Sequence, residues 1–234
     1  RPLFVVGGGI QSGKSAEALR TFLDSTNVPC IFSYNGYDSI DYNHICNCGV
    51  MGQGAHYSAN YLLKETDFII GLGTRYTIRQ IGNETKKVLN HAFKVNVNTD
   101  FGELEDCRIQ ADLDLHMPIE EFFDYLKLNG PIESKSEWVN YGAYLKQKSN
   151  VVDPKYYNEP LTNPYVLLEE SHKRVKSDAI TIVDIGINVI TACQTLKLND
   201  TQQLFSSWAN SPMGYSMPAA IGAQIANPNK QVVC

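Results

Sequence analysis

The chain has 234 residues, of which 43% are hydrophobic and 10% aromatic, a composition typical of one large or two smaller folded domains rather than of a disordered protein. Its formal net charge of −5 offers no basic face for nucleic acid, and no apolar run reaches the roughly 18 residues that a membrane span requires. Six cysteines are too few for a disulfide scaffold in a chain of this length, so we expect reduced thiols in a cytoplasmic protein.

Apolar runs and amphipathic stretches alternate over the first half of the chain. Strands are predicted at residues 3–6, 29–32, 68–73, 92–97 and, more briefly, 109–111, and helices at residues 15–25, 53–65 and 118–126. Continuous apolar strands separated by helices are typical of a parallel sheet with right-handed crossovers. The sequence therefore predicts an α/β fold with a Rossmann-like parallel sheet.

The periodicity weakens over residues 129–162, where Pro131, Pro154 and Pro160 interrupt the pattern and indicate a linker. A second α/β unit is predicted beyond it. Its elements are a helix at 164–176, a strand at 179–183, a helix at 188–196, a strand at 203–206, a helix at 215–226 and a strand from 232.

These patterns divide the chain into a domain at residues 1–128, a linker at 129–162 and a second domain at 163–234. The last predicted strand stops at Cys234, with no turn or helix after it, and the chain does not begin with Met. A buried parallel strand needs neighbours that satisfy its backbone groups. We therefore expect the second domain to be truncated and the chain to be a piece of a larger protein.

A phosphate-binding pattern occurs near the start. Gly8, Gly13, Lys14 and Ser15 satisfy the P-loop spacing between a predicted strand and a predicted helix. Backbone N–H groups would surround phosphates, Lys14 would reach the terminal phosphates and Ser15 would hold Mg²⁺. The other interpretation is an ordinary glycine turn that leads into a helix. A P-loop-type nucleotide-binding protein using Gly8–Ser15 is therefore one alternative that the sequence allows, with Asp184 as a candidate for the Mg²⁺-binding carboxylate.

Three segments in chain order carry a resemblance to a known family. They are Gly-Val-Met-Gly-Gln-Gly-Ala at 49–55, the run that ends in Gly-Leu-Gly-Thr-Arg at 75, and Ser-Pro-Met-Gly-Tyr at 211–215 with the small residues that follow it. Together they resemble the central domain and the first half of the cofactor-binding domain of thiamine-diphosphate-dependent enzymes of the acetolactate synthase-like family. The resemblance implies a Rossmann-like central domain followed by a truncated, doubly wound thiamine-diphosphate-binding domain.

The resemblance also assigns cofactor contacts in the second domain. It implies that Gly186 and Asn188 bind the diphosphate of the cofactor. Met213 would lie beneath the thiazolium ring and keep the cofactor bent. The backbone carbonyl of Ser211 would accept a hydrogen bond from the aminopyrimidine, and Gly214 would lie beside these residues. The residues alone allow a plainer interpretation. Gly186 could form a glycine turn with Asn188 as the helix N-cap, and Met213 could fill a core.

A flavin site is implied for the central domain. Gly52, Gly54 and Arg75 match positions that contact FAD in members of the family. The residues after Arg75 lack the acidic pair typical of those members, and Asn96 and Asn98 stand where carboxylates are expected. FAD is therefore a candidate cofactor, and the alternative for Arg75 is a surface ion pair.

The implied activity is a carbon–carbon lyase or transferase reaction that depends on thiamine diphosphate and Mg²⁺. A 2-keto acid such as pyruvate would be decarboxylated and its two-carbon unit transferred to an acceptor carbonyl, with polysaccharide or branched-sugar biosynthesis as a candidate pathway. In this family the Mg²⁺ ligands would follow Cys234 and the activating Glu belongs to a partner subunit. We therefore expect a homodimer or homotetramer with the active site at the subunit interface, no catalytic or metal-binding residue in this chain, and no activity from the chain alone. A non-catalytic module that binds flavin or a nucleotide is the remaining alternative.

Overall fold

The computed structural model describes residues 1–11, 15–83, 89–130 and 132–234. The chain divides into two compact units. The first unit consists of residues 1–40 and 44–149, and the second consists of residues 41–43 and 150–234.

Within the described residues, the first unit contains a six-stranded sheet in the order β3-β2-β1-β4-β5-β6. Its strands are β1 (Pro2–Val6), β2 (Cys30–Phe32), β3 (Asn47–Val50), β4 (Phe68–Leu72), β5 (Phe93–Asn98) and β6 (Leu113–His116). All neighbouring strands are parallel, so the predicted parallel α/β architecture is confirmed. The strand order reverses between β1 and β4, which creates the crevice at the carboxyl ends where doubly wound folds bind ligands.

Helices cover both faces of this sheet. They are α1 (Ser15–Thr26), α2 (Tyr57–Glu65), α3 (Ile78–Ile81), α4 (Phe101–Glu105), α5 (Ile119–Asn129) and α6 (Ser136–Lys148). Phe4 of β1 packs against Phe22 of α1 and Phe123 of α5, with ring centroids 5.8 and 6.1 Å away. Leu3 of β1 belongs to the core that contains Leu62 of α2 and Trp138 and Leu145 of α6. The alternation of side chains along β1 thus buries both of its faces.

Helix α6 lies inside the segment that the sequence predicts as a linker. It packs on the first unit, where Trp138 Nε1 donates a hydrogen bond to the Pro2 carbonyl at 2.8 Å. Trp138, Gly142 and Leu145 are buried in this helix. Because a glycine takes the middle of the buried face, the 3.6-residue apolar period is interrupted in the sequence. Gly142 is needed there: a Cβ at this position would lie 2.6 Å from Cys48 Sγ.

Other elements also differ from the sequence prediction. Strand β3 begins at Asn47 within a segment with no apolar run, and its Asn47 side chain accepts from the Gly49 N–H at 3.0 Å. The sixth strand occupies Leu113–His116 rather than residues 109–111, and α2 begins at Tyr57 rather than at residue 53. Short polar edge elements such as these carry little period-2 signal.

The second unit contains a three-stranded parallel sheet among its described residues, in the order β8-β7-β9. Its strands are β7 (Ile180–Ile182), β8 (Gln203–Phe205) and β9 (Val232–Val233), and its helices are α7 (Pro164–His172), α8 (Ile187–Thr195) and α9 (Ser216–Ala226). Helix α7 begins after Asn163, whose side chain accepts from the Tyr165 N–H at 3.0 Å. Helix α9 buries only Ser216 and leaves most of its apolar side chains exposed.

Three short 3₁₀ helices complete the described backbone, at Gly8–Gln11, Tyr34–Ser39 and Pro154–Asn158. In the part of the chain that the structure describes, no helix is both long enough and apolar enough to cross a bilayer.

The contact between Gly142 and Cys48 predicts a specific cost of enlarging the glycine. Gly142→Ala should lower the free energy of unfolding because overpacking a filled core costs about 1–3 kcal/mol, offset in part by roughly 1 kcal/mol of helix propensity. Urea denaturation measures the change. Adding Cys48→Ala removes the sulfur atom and should recover most of the loss. A double variant no more stable than Gly142→Ala alone would show that this contact does not set the position of α6.

Candidate functional site

The carboxyl ends of β7 and β8 form one edge of the second unit's sheet. Because the two strands are parallel, the residues that follow them leave the sheet at the same edge. Asp184 and Gly186 follow β7 and lead into α8. Ser206 follows β8, and its buried Oγ has no hydrogen-bond partner among the described residues. This edge is where an open parallel sheet binds ligands.

The turn before α8 has the form of an anion site. Gly186 is the N-cap of α8, with φ 86° and ψ −143°, a conformation that glycine alone adopts readily. A Cβ on Gly186 would meet nothing within 4 Å, so the space beside it is open. The first N–H groups of α8 lack partners within the helix and carry the positive end of its dipole. Asn188 is exposed in the first turn of α8, so the interpretation of Asn188 as the N-cap is wrong.

The segment between β8 and α9, residues 206–215, exposes Met213 to solvent and is called the Met213 segment below. Ser211 has φ 50°, and its N–H donates to the Ser207 carbonyl at 2.9 Å. Gly214 has φ 85°, with nothing within 4 Å of an added Cβ. The Met213 side chain is 89% exposed. Met213 therefore fills no core among the described residues of this unit.

Asp184 holds these two segments together. Its Oδ2 accepts from the Ser216 Oγ at 2.9 Å, the Gly214 N–H at 3.0 Å and the Ser216 N–H at 3.3 Å, and its Oδ1 accepts from the Ile185 N–H at 2.8 Å. The Ile185 N–H lowers the pKa of Asp184 most, and the bonds from Ser216 and Gly214 lower it further. In the sequence, Asp184 is a candidate only for a metal ligand of a P-loop protein. The signal for its structural role is an acidic residue just after a buried strand and two residues before a glycine.

In the first unit, the predicted flavin contacts have partners within the fold. Gly52 has φ 110°, its N–H donates to the Asn60 Oδ1 at 2.8 Å, and a Cβ on it would lie 2.5 Å from the Arg79 carbonyl oxygen. Gly54 has φ 66° in the same turn. Arg75 follows β4 and forms an ion pair with Glu103 at 2.6 Å. Close packing thus accounts for the glycine at position 52, and an ion pair engages Arg75.

A second group of polar atoms, which sequence reasoning did not find, lies in and after strands β2, β4 and β5. Within the described part of the chain, Ser33 Oγ, Thr74 Oγ1, Tyr76 OH and Asn96 Oδ1 are buried without a hydrogen-bond partner. Tyr76 OH and Asn96 Oδ1 both lie against Gly71, where any Cβ would collide with the hydroxyl. Most buried polar groups in folded proteins are paired, so water or a ligand is the expected partner of these atoms.

The described residues of the P-loop pattern have structural roles. Ser12, Gly13 and Lys14 lie outside the described residues. Gly9 packs on Gly73, to whose carbonyl its N–H donates at 3.0 Å, and a Cβ on Gly9 would lie 2.8 Å from the Gly73 Cα. The buried Ser15 hydroxyl donates to Glu120 at 2.8 Å. Over the described ranges, no group of three or more His, Cys, Asp or Glu side chains could hold a metal ion.

Comparison with known proteins identifies the family. Residues 1–126 match the family described as thiamine pyrophosphate enzyme, central domain, and residues 184–234 match the family described as thiamine pyrophosphate enzyme, C-terminal TPP binding domain. Neither match supports the nucleotide-binding alternative.

Three curated relatives match this chain over its whole length. The acetolactate synthase large subunit of Lactococcus lactis is 27% identical over 235 residues, and the acetolactate synthase isozyme 1 large subunit of Escherichia coli K12 is 29% identical over 242. The glyoxylate carboligase of Escherichia coli O157:H7 is 25% identical over 244 residues. The chain spans 40%, 41% and 40% of the lengths of these relatives. Because the central-domain match covers more than half of its 234 residues, the chain belongs to the thiamine pyrophosphate enzymes and is similar to acetolactate synthases.

Proposed function

We propose that the chain is part of a thiamine-diphosphate- and Mg²⁺-dependent enzyme that decarboxylates a 2-keto acid such as pyruvate and transfers the two-carbon unit to an acceptor carbonyl. The observation that carries the proposal is the junction at Asp184, where the Gly186 turn and the Met213 segment meet at one edge of the sheet. The names of the relatives supply the reaction class. Because the chain spans about 40% of their lengths, the activity is proposed for the full-length protein.

The residues at this edge fit thiamine diphosphate. The N–H groups at the start of α8, with Gly186 and Asn188, would bind its diphosphate, and the open space beside Gly186 leaves room for it. The exposed Met213 thioether would support the thiazolium ring, while the Ser211 carbonyl would accept from the aminopyrimidine and Gly214 would let the backbone approach. When bound, the cofactor supplies the electron sink for decarboxylation, and the chain supplies orientation and exclusion of water.

The metal and the catalytic acid–base group are proposed to come from elsewhere in the full-length enzyme. Both oxygens of Asp184 already accept hydrogen bonds, and we assign no residue of this chain to Mg²⁺. The proposed enzyme is a homodimer or homotetramer whose active site lies between subunits. We place it in the cytoplasm, since all six cysteines are free thiols.

We also propose a domain assignment: a central domain at residues 1–128, a linker within 129–162 and part of the thiamine-diphosphate-binding domain at 163–234. The matched ranges 1–126 and 184–234 support it. Helix α6 packs on the first unit, so residues 129–149 extend that unit and the proposed linker lies within 150–162.

A second candidate function is flavin binding by the first unit. The strand order β3-β2-β1-β4-β5-β6 is that of dinucleotide-binding folds. The unpaired hydroxyls of Ser33 and Thr74 follow β2 and β4 at the carboxyl edge of that sheet. A dinucleotide would give them partners, with Gly52, Gly54 and Arg75 as the proposed contacts of FAD.

Truncation of the exposed methionine tests the thiamine diphosphate site. Met213→Ala should weaken binding of thiamine diphosphate with Mg²⁺ about tenfold, because it removes the apolar contact between the methionine side chain and the cofactor. Calorimetric titration of the full-length protein measures it. The matched control is Met217→Ala, which shortens another exposed methionine four residues away (69% exposed) and should leave affinity unchanged. Equal affinities for the two variants would remove Met213 from the site.

A pair of glycines separates backbone strain from cofactor binding. Gly186 and Gly82 share nearly the same conformation, with φ 86° and ψ −143° against φ 73° and ψ −167°, and neither would bring an added Cβ within 4 Å of another atom. Alanine at either position should lower stability by about 1–3 kcal/mol through strain. Only Gly186→Ala should weaken thiamine diphosphate binding in the same titration. If Gly82→Ala weakened it as much, global strain rather than the turn would be responsible.

The flavin proposal is tested by the visible absorbance of the purified protein. Bound FAD should give a flavin spectrum that Thr74→Val reduces, because the variant keeps the shape of threonine but removes its unpaired hydroxyl. Without a ligand, Thr74→Val should instead raise the free energy of unfolding by about 1 kcal/mol, since a buried hydroxyl without a partner is destabilising. A colourless protein that Thr74→Val stabilises would exclude the flavin.

A further inference from the structure

Asp184 lies between the two segments to which the proposed function assigns the cofactor. Along the chain it stands two residues before Gly186, at the turn into α8. Through space, its carboxylate contacts the N–H groups of Gly214 and Ser216, the first and third residues after Met213. One side chain therefore connects the diphosphate end of the site to the segment that carries Met213.

The arrangement of donors argues against two other roles for this carboxylate. Oδ1 accepts from the N–H groups of Ile185 and Gly214, and Oδ2 accepts from Gly214 and from both groups of Ser216. An acceptor engaged in this way has few lone pairs left for a metal ion. Donors that stabilise its ionised form also oppose its protonation, which a general base requires.

Helix α9 shows why the contact forms. Tyr215 occupies the N-cap position of α9 but makes no side-chain capping bond. Asp184 supplies the missing acceptor from the end of β7, and its negative charge lies at the positive end of the α9 dipole. A carboxylate this near to Gly186 would otherwise repel the diphosphate of the cofactor. The N–H donors and the dipole of α9 partly offset this negative charge.

We propose that Asp184 is a positioning residue that fixes the Met213 segment relative to the Gly186 turn before the cofactor binds. The inference rests on the proposed function, because it assigns thiamine diphosphate to these two segments. A segment that is already ordered loses less conformational freedom on binding. Asp184 therefore contributes to cofactor affinity without touching the cofactor.

The experiment measures the segment and the cofactor separately in the full-length protein. Asp184→Asn keeps the shape but places an N–H₂ group among N–H donors, and Ser216→Ala removes only the hydroxyl contact. Hydrogen–deuterium exchange without cofactor should be about tenfold faster across residues 207–216 in Asp184→Asn, and less accelerated in Ser216→Ala. Thiamine diphosphate with Mg²⁺ should bind about tenfold more weakly to Asp184→Asn.

The control is Asp178→Asn, which removes the same charge just before β7, beyond the opposite end of that strand; it should change neither measurement. Unchanged exchange across residues 207–216 in Asp184→Asn would overturn the proposal, whatever the cofactor does. Faster exchange with unchanged affinity would overturn it as well. If the wild-type protein bound no thiamine diphosphate, the proposed function would fail, and the positioning role for this cofactor would fail with it, while the exchange data would still report the contact.

Discussion

Parallel pairing of short, buried strands is the constraint on which both units depend. A parallel strand must be covered on both faces, and each connection must cross from one end of the sheet to the other. Strand β1 meets the first requirement completely, since Leu3, Phe4, Val5 and Val6 have no exposed surface. The second requirement brings all the segments that follow the strands to one edge. Both the Asp184 junction and the unpaired hydroxyls of the first unit are products of this geometry.

At the centre of the first unit, the turns after β1 and β4 pack backbone against backbone. Gly7 and Gly9 both lie directly on Gly73, and a side chain on Gly7 would overlap the Gly73 carbonyl. The Gly7 N–H also donates to the Leu72 carbonyl at 2.9 Å. A glycine-rich turn after a strand is thus required here by close packing alone. Gly7 and Gly9 therefore serve the fold.

Much of the architecture could be predicted from the sequence because its central strands are continuous apolar runs. The apolar runs at residues 3–6 and 68–72 predict buried strands from the local sequence alone. Strand β3 does not, because Asn47 is buried by virtue of its own hydrogen bonds and not by its hydrophobicity. Helix α6 was missed because Gly142 fits against Cys48, a contact between residues far apart in the chain.

Part of the candidate site could also be predicted from local sequence patterns. Gly186 and Met213 lie in local motifs that the sequence displays directly. The role of Asp184 depends on Gly214 and Ser216, about 30 residues later, and only the folded chain brings these groups within hydrogen-bond distance.

Helix α9 has an apolar side that the described residues leave uncovered. Met217, Ile221 and Ile225 recur every four residues and are all exposed, so they form an apolar stripe along one side of the helix. Burying such a stripe yields roughly 25 cal/mol for each Å² removed from water. The physical chemistry of these side chains therefore favours an apolar surface packed against this side of the eleven-residue helix.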